Sequence, residues 1–245
     1  MKLELQLFGR AYEVRKASIQ KTGAAKAKLY SMYAREIYDV AKKGGADPLS
    51  NAPLKRLMEK AKKEQVPADI IKRAIDKVNS GVDETYDKVR YEIFGPSGST
   101  VLVDCLTDNV NRSISSVRAA LNKCKCKLGV TGSVAFQYDH LCIVSFSGLT
   151  EEETLETLIE AGIDVEDIEM EDNQIVIYGN PQDLFAIKES IQTKLPNVDF
   201  DMDEITMLPK DKITLAGDDL EIFNRLLTML DDIEDVQTVY HNVAL

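Results

Sequence analysis

The sequence contains few of the residues from which catalytic sites are built. Its two histidines, His140 and His241, have no Ser or Cys context that resembles a catalytic triad. It has neither a G-x-x-x-x-G-K-[ST] nor a G-x-G-x-x-G run, the glycine-rich motifs that bind nucleotide phosphates. We therefore assign no catalytic residue, no cofactor and no small-molecule substrate, and we expect a protein that is not an enzyme.

Cysteine is also scarce, and its spacing differs from that of a zinc site. Besides Cys105 and Cys142, the chain has Cys124 and Cys126, which form a C-x-C pair. Zinc knuckles use C-x₂-C pairs, and no second pair follows at the usual distance. We assign no metal site and expect reduced thiols.

Long apolar stretches are missing. A membrane span needs about 18 apolar residues, and the longest runs here are short pieces such as Thr100–Val103 and Leu141–Phe146. Glu4 stands where a signal peptide would place its apolar stretch. We therefore expect a cytoplasmic protein without a membrane partner.

Charge is distributed unevenly along the 245 residues. Residues 1–81 carry 18 Lys and Arg against 9 Asp and Glu, a net charge of +9. The rest carries 12 basic and 32 acidic side chains, so the overall net charge of −11 conceals a basic module. Such a module attracts the phosphate backbones of nucleic acids. Acidic side chains elsewhere in the chain repel these backbones and so limit non-specific binding.

The periodicity of the basic module predicts helices. Residues 22–81 show apolar side chains at helical spacing in three stretches. Gly44-Gly45 end the first stretch, Ser50 and Asn51 are suitable N-caps for the second, and Pro67 begins the third. Short connections between three such helices predict a small bundle, preceded by a basic arm.

Alternating strands and helices follow. Tyr86–Phe94 and Thr100–Thr107 are predicted strands, and Ser133–Tyr138 with Cys142–Phe146 are predicted to form a second hairpin. The stretch from there to about residue 205 has the β-α-β-β-α-β order of a split βαβ fold. The tail adds a predicted strand near Ile213–Leu215 and one later strand, too few for a sheet of its own, so we expect it to complete the first sheet.

The predicted fold class is α+β: an N-terminal three-helix bundle plus two α/β domains of the ferredoxin-like (split βαβ) type, one inserted in the other. The predicted domains are residues 1–81 for the arm and bundle, residues 82–133 completed by 206–245 for the first α/β domain, and residues 134–205 for the inserted acidic domain.

Basic side chains recur on one face of the first two helices. Lys28, Arg35 and Lys42 stand seven residues apart, opposite the apolar face, and the second helix has a similar face from Arg56 to Lys63. Because few acids interrupt these faces, we favour phosphate contact over an ordinary solvated surface. The predicted nucleic-acid-binding residues are Arg10, Arg15, Lys16, Lys21, Lys26, Lys28, Arg35, Lys42, Arg56, Lys60, Lys63 and Arg112.

Arg112 is predicted on different grounds. It falls in the first turn of a helix for which Asp108 or Asn109 is a suitable cap. The helix dipole disfavours a cation there, so an anion is expected beside it. A ligand phosphate and a carboxylate of the same domain both satisfy this expectation, and the sequence leaves the two open.

Residues 139–245 hold 26 acids and 5 bases. This excess is compatible with a role in solubility, with a surface for a basic protein partner, and with a surface that folds back over the basic module. The sequence does not separate these three possibilities.

At the level of motifs, the chain resembles the YebC/PmpR family, often described as probable transcriptional regulators. The segments that carry the resemblance are Gly44-Gly45-Ala46-Asp47-Pro48 followed by Asn51, Pro67 through Ile75, Gly95-Pro96-Ser97-Gly98, Thr107 through Arg112, and Leu128-Gly129 with Gly132 through Phe136. Many members begin with a His-Ser-Lys-Trp segment, whereas this chain has no tryptophan. Where relatives often have a glycine pair before Leu128-Gly129, it has Cys124-Lys125-Cys126-Lys127.

The resemblance implies three domains and two descriptions of function. One is DNA binding with control of transcription, and the other is association with the ribosome to aid translation. Our leading hypothesis is a non-enzymatic, DNA-binding regulator of transcription. The alternative is a ribosome-associated translation factor that contacts ribosomal RNA, and a third hypothesis is an acidic interaction scaffold whose basic part is merely solvated.

Overall fold

The computed structural model describes residues 23–244, which form seven α-helices and two four-stranded antiparallel sheets. The helices are α1 (Gly23–Gly44), α2 (Ala52–Lys63), α3 (Ala68–Asn79), α4 (Val110–Lys123), α5 (Glu151–Glu160), α6 (Leu184–Lys194) and α7 (Gly217–Asp231). The strands are β1 (Asp87–Phe94), β2 (Thr100–Thr107), β3 (Lys127–Leu128), β4 (Tyr138–Phe146), β5 (Val165–Glu171), β6 (Gln174–Gly179), β7 (Phe200–Pro209) and β8 (Val236–His241). Four predicted contact residues lie outside the described residues: Arg10, Arg15, Lys16 and Lys21.

Helices α1 to α3 pack around shared apolar side chains, with Ile37 and Leu54 fully buried. The local signals act where the sequence predicts them. Helix α1 ends at Gly44, and Gly45 adopts a φ of +98°, which glycine tolerates without a steric penalty. Asn51 caps α2 by accepting a hydrogen bond from the Leu54 N–H at 3.1 Å. The predicted three-helix bundle is confirmed.

Asn51 also fixes the position of α2 on the end of α1. Its buried side-chain amide donates hydrogen bonds to the carbonyl oxygens of Gly45, at 2.7 Å, and Val40, at 3.2 Å. A Cβ atom on Gly44 would lie 2.7 Å from the Asn51 Nδ2 atom, so this close approach requires glycine. The motif that includes Gly44, Gly45 and Asn51 therefore sets the direction in which α2 presents its side chains.

The first sheet has the strand order β3-β1-β2-β8, and α4 and α7 cover one of its faces. Strand β8, which comes from the tail, pairs with β2, so that Leu102 lies opposite Tyr240. On the covered face, Val101 and Val103 pack with Phe223 of α7 in one apolar cluster. The tail thus completes the sheet that β1 and β2 begin.

The second sheet has the order β5-β6-β4-β7, which is the strand order of the ferredoxin-like fold, and its core includes residues of α5 and α6. Phe146 and Phe200 meet edge to face in its core, with ring centroids 6.1 Å apart. Among the described residues, Tyr138–Lys210 form one compact unit, and residues 23–137 with 211–244 form the other. The predicted α+β fold class is confirmed, and the predicted domain boundaries stay a prediction.

Two local predictions were wrong, and one short strand was missed. Ser133–Tyr138 is not a strand: Ala135–Gln137 form a 3₁₀ turn, and one continuous strand runs from Tyr138 to Phe146. The two-residue strand β3 was not predicted. Ile213–Leu215 contributes a single bridge rather than a strand. None of the helices in the described part of the chain has both the length and the apolar composition of a membrane span.

Candidate nucleic-acid interface

Helix α2 presents a dense row of exposed cations. Its apolar side is held in the bundle by Leu54 and Ala61, both fully buried. The opposite side has one acid, Glu59, and five basic side chains: Lys55, Arg56, Lys60, Lys62 and Lys63. Three of these cations stand in the last turn, where the partial negative charge of the helix C-terminus favours them. The sequence therefore builds a positive face on a helix whose orientation is fixed by its cap.

The basic stripe on α1, formed by Lys28, Arg35 and Lys42, contacts carboxylates of its own chain. Lys28 pairs with Asp231 at 2.9 Å, at the end of α7. Arg35 pairs with Glu234 and Asp235 in the turn that leads into β8. The side chains of Lys28 and Arg35 are only 17% and 13% exposed, so the ion pairs cover most of both cations. The seven-residue spacing that predicted a phosphate stripe thus lies along an acidic turn of the same compact unit.

Asp235 is the centre of this contact. Its carboxylate, 4% exposed, accepts hydrogen bonds from the Arg112 guanidinium at 2.8 Å and from the Ser113 hydroxyl at 2.7 Å, in addition to the pair with Arg35. Burial alone would raise the pKa of Asp235, but the hydrogen bonds from Arg112 and Ser113 outweigh it and lower the pKa. Asp235 therefore stays charged and joins the bundle to the first α/β domain.

Arg112 lies between two carboxylates. It pairs with Asp108 at 2.6 Å and with Asp235 at 2.8 Å, while half of its side chain stays exposed. Asn109 is the cap of α4 and accepts a hydrogen bond from the Arg112 N–H at 3.0 Å. Of the two anions that the sequence left open, the structure holds the carboxylate of the same domain.

Lys42, the last member of the stripe, fastens the segment between the bundle and β1. It pairs with Asp83 at 2.5 Å and donates to the Glu84 carbonyl oxygen at 2.5 Å. The hydrogen bond from Lys42 lowers the pKa of Asp83. The Tyr38 hydroxyl donates to the Val82 carbonyl oxygen at 2.5 Å and accepts from the Glu84 N–H at 3.0 Å. This segment is thereby held along α1.

The twelve predicted residues thus fall into three groups. The four in the arm lie outside the described residues. Lys28, Arg35, Lys42 and Arg112 are engaged in ion pairs within one compact unit. The remaining four are Lys26, exposed in the first turns of α1, and Arg56, Lys60 and Lys63, exposed on α2. Their role in binding stays a prediction.

Sequence reasoning missed the acidic turn as the partner of α1. The signal was present, because Asp231, Asp232, Glu234 and Asp235 stand within five residues of one another. Of the three possibilities for the acidic residues, the fold-back over the basic module describes this turn. Because acids are frequent throughout the tail, this cluster could not be distinguished from the others by sequence alone.

The four cysteines are free thiols. Burial raises the pKa of Cys105 to about 12 and those of Cys126 and Cys142 to about 11, so the reactive thiolate form is disfavoured. Within residues 23–244, no three His, Cys, Asp or Glu side chains gather in an arrangement suited to a metal ion. The C-x-C pair contributes Cys124 to the apolar core of the first sheet.

The comparison with known families divides the chain after the helical bundle. Residues 10–81 match the TACO1/YebC protein N-terminal domain. Residues 86–243 match the TACO1/YebC second and third domain. The chain belongs to the TACO1/YebC family. This membership agrees with the motifs, several of which act structurally here, such as the Asn51 cap and the Asn109 cap.

Curated relatives of the family align with nearly the whole chain. A "Probable transcriptional regulatory protein" of Marinobacter nauticus is 48% identical over 238 residues, which cover 97% of this chain and 99% of the relative. A protein of the same description from Vibrio parahaemolyticus is 47% identical and is covered completely. The crystal structure of a conserved hypothetical protein from Aquifex aeolicus has a TM-score of 0.73 and 32% identity, over 91% of this chain and 92% of that one.

Proposed function

We propose that this TACO1/YebC protein is a non-enzymatic regulator of transcription that binds DNA through the basic face of α2. The relatives described as probable transcriptional regulatory proteins cover 97% of the chain at 47–48% identity, which supports the proposal. The observation that carries it is the face of α2, where five cations accompany one acid on a helix held by its cap.

The chemistry of this face suits phosphates better than base edges. Lysine and arginine side chains neutralise backbone phosphates, and sequence is read mostly by bidentate contacts to bases. The exposed side of α2 offers neither Asn nor Gln, the residues that pair with adenine. Binding through α2 therefore positions the protein on the nucleic acid, and most of its affinity is electrostatic.

The ion pairs of α1 limit which cations contribute. A phosphate that contacted Lys28 or Arg35 would have to displace Asp231, Glu234 or Asp235, and Arg35 has the buried Asp235 beside it. The cations of α2 are exposed to solvent. We therefore assign the phosphate contacts to Arg56, Lys60 and Lys63, together with Lys26 and the predicted cations of the arm.

The test is binding of a fluorescent 20-base-pair DNA duplex, followed by anisotropy at several salt concentrations. The triple variant Arg56→Glu, Lys60→Glu, Lys63→Glu should lose measurable binding, because it replaces three cations by three anions on one face. A matched control is Lys194→Glu with Lys210→Glu, two exposed lysines of the other compact unit. Circular dichroism should show both proteins folded.

The salt dependence gives a second readout. For wild type, the logarithm of the association constant should fall with the logarithm of salt concentration with a slope of about −0.9 for each phosphate contacted. A wild type without measurable affinity for the duplex, or a triple variant that binds as tightly as wild type, would contradict the proposal.

Ribosomal RNA stays the alternative target. Crosslinking in living cells followed by sequencing separates the two targets: enrichment of promoter DNA supports the proposal, and ribosomal RNA crosslinked at one site replaces it. The cytoplasmic location and a basic protein partner for the acidic α/β domains stay predictions.

A further inference from the structure

The first α/β domain contains a second basic segment, which the overall excess of acids after residue 81 conceals. Residues 109–138 include five Lys and Arg and no Asp or Glu, although acids outnumber bases 32 to 12 after residue 81. Arg112 is paired with acids, as described above. The other four cations are exposed, and no ion pair joins them to a carboxylate within residues 23–244: Arg118, Lys123, Lys125 and Lys127.

Lys125 stands at the turn between α4 and β3. The Cys126 N–H donates to the Leu121 carbonyl oxygen at 3.0 Å, and the Lys125 N–H donates to that of Asn122 at 3.4 Å, which is the hydrogen-bond pattern of a Schellman motif. Lys125 has a φ of +54° at the position where this motif favours glycine. A cation therefore occupies a tight turn that glycine would form more easily.

Lys127 lies beside an exposed phenylalanine on the face of the sheet that points away from α4 and α7. Strand β3 pairs with β1 so that Lys127 is opposite Phe94 and Leu128 is opposite Ile93. Ile93 and Leu128 belong to the apolar core, so their neighbours Phe94 and Lys127 point to the other face. Phe94 is 39% exposed there.

Glu92 holds the loop after β3 onto this same face. Its buried carboxylate accepts hydrogen bonds from the N–H groups of Gly132 at 2.5 Å, Val134 at 2.5 Å and Ala135 at 2.9 Å. Burial alone would raise the pKa of Glu92, and these three hydrogen bonds outweigh it, so the pKa is lowered and the carboxylate stays charged.

The loop that Glu92 holds also carries an exposed aromatic ring. Phe136 follows Ala135 directly and is 66% exposed. Glu92 and Phe94 are two residues apart on one face of β1, about 7 Å along the strand. A Cβ atom on Gly129 would lie 3.0 Å from the Phe94 ring, so the start of the loop also contacts that ring. Phe94 and Lys127 are therefore paired across β1 and β3, Phe136 follows a residue whose N–H binds Glu92, and Lys125 stands two residues before Lys127 in the chain.

We propose that this surface, formed by Phe94, Phe136, Lys125 and Lys127, is a second nucleic-acid contact that takes an unpaired strand. The phenylalanine rings stack on bases, and the two lysines pair with the phosphates between them. The inference rests on the proposed function, because it extends nucleic-acid binding from α2 to the first α/β domain.

An unpaired strand fits the surface better than the other occupants. Bases in a duplex stack on each other, so their faces are closed to an exposed phenylalanine ring, whereas unpaired bases offer them. An apolar protein partner would gain from the rings but not from Lys125 and Lys127, which no ion pair joins to a carboxylate within residues 23–244. The positive charge within a negatively charged chain selects a polyanion instead.

The test uses the full chain and two fluorescent 12-nucleotide strands, one of RNA and one of DNA, together with the 20-base-pair duplex. Phe94→Ala and Phe136→Ala should each weaken strand binding about fivefold or more and leave duplex binding unchanged. The matched control is Phe185→Ala, which removes a phenylalanine 37% exposed on α6. Comparison of the two strands shows whether the surface prefers RNA or DNA.

The lysines are tested by salt dependence. Lys125→Gly with Lys127→Gln should make the slope of strand affinity against salt shallower by about 1.4, the value expected from two lost phosphate contacts. Lys125→Gly suits the turn, so loss of folding does not confuse this result. Lys194→Gln is the control, an exposed lysine at the end of α6.

The outcomes separate this inference from the proposed function. If the charge-reversed α2 variant loses duplex binding while the phenylalanine and lysine variants bind strands like wild type, the second contact is overturned and the proposed function stands. If strand binding is lost in these variants while reversal of the α2 charges leaves duplex binding intact, the second contact stands and the role of α2 fails. A wild type that binds no nucleic acid overturns both.

Discussion

Arg35 of α1 pairs at 3.3 Å with Asp235, a buried carboxylate 200 positions later in the chain. The Asp235 carboxylate also accepts hydrogen bonds from Arg112 and Ser113 of α4. One carboxylate therefore connects the helical bundle with α4 and with the turn before β8. The ion pairs of Asp235 therefore join the basic bundle to this domain.

Asp235→Ala should lower the free energy of unfolding by about 2–3 kcal/mol, because it leaves Arg35, Arg112 and Ser113 without their shared acceptor. Urea denaturation measures this change. The neighbouring exposed Asp232→Ala is the matched control and should change stability by less than about 0.5 kcal/mol. Equal effects of the two substitutions would contradict the role of Asp235.

Acid titration checks the same carboxylate independently. Its pKa is lowered in the folded protein, so its contribution to stability is present above the unfolded pKa of about 4 and is lost as pH falls through the folded value. The stability difference between wild type and Asp235→Ala should therefore shrink below about pH 4. A difference that stays constant from pH 7 to pH 3 would argue against this ion pair.

Glu36→Gln should raise stability at neutral pH. Burial raises the pKa of Glu36 in the folded protein, and the nearby Lys60 and Lys88 only partly oppose this. The folded state therefore binds the proton more tightly than the unfolded state, and wild type gains stability as pH falls through the folded pKa towards about 4.3. The advantage of the glutamine variant in thermal unfolding should be largest near pH 7 and should disappear with acidification. Glu59→Gln, on the exposed side of α2, is the control.

Lys125→Gly should stabilise the protein by about 0.5–1 kcal/mol. The left-handed φ of +54° costs a side chain with a Cβ atom about 1–2 kcal/mol, and the greater freedom of glycine in the unfolded chain offsets part of the gain. Lys127→Gly is the control, because Lys127 lies in a strand without a positive φ and should lose stability. Equal changes in the urea midpoint would show that the backbone of Lys125 is unstrained.

Asn51→Ala should cost about 2 kcal/mol, more than a helix cap alone. The substitution removes the cap of α2 and also the two hydrogen bonds from the amide to the carbonyl oxygens of Val40 and Gly45. Because Asn51 orients α2, affinity for duplex DNA should fall as well. Ser50→Ala, which changes an exposed neighbour, should alter neither stability nor binding. A variant with lower stability but unchanged affinity would separate the cap from the interface.

Features with a local cause were predictable from the sequence. Gly44-Gly45 end a helix and Asn51 begins one through contacts within a few residues, and the structure confirms both. The failed hairpin at Ser133–Tyr138 has a distant cause. The N–H groups of this loop bind Glu92, about 40 positions earlier, instead of the N–H and carbonyl groups of a neighbouring strand.

The stripe on α1 shows the same limit at the candidate interface. The spacing of Lys28, Arg35 and Lys42 correctly indicates a face that meets anions, but periodicity carries no information about where the anion comes from. A phosphate group and the turn from Asp231 to Asp235 would both be matched by the same row of basic side chains on one face of the helix. Only the pairing of β8 with β2 brings that turn to α1.

Three residues of α1 pair with acids outside the helix, Lys28, Arg35 and Lys42, and they span 14 positions, which is about 21 Å of helix. A helix fastened near its start, middle and end cannot roll about its own axis without breaking these pairs. We therefore expect a displacement of α2 to reach the end of α7 through α1. A fluorophore attached near Asp232 should then respond when nucleic acid binds to the proposed face of α2.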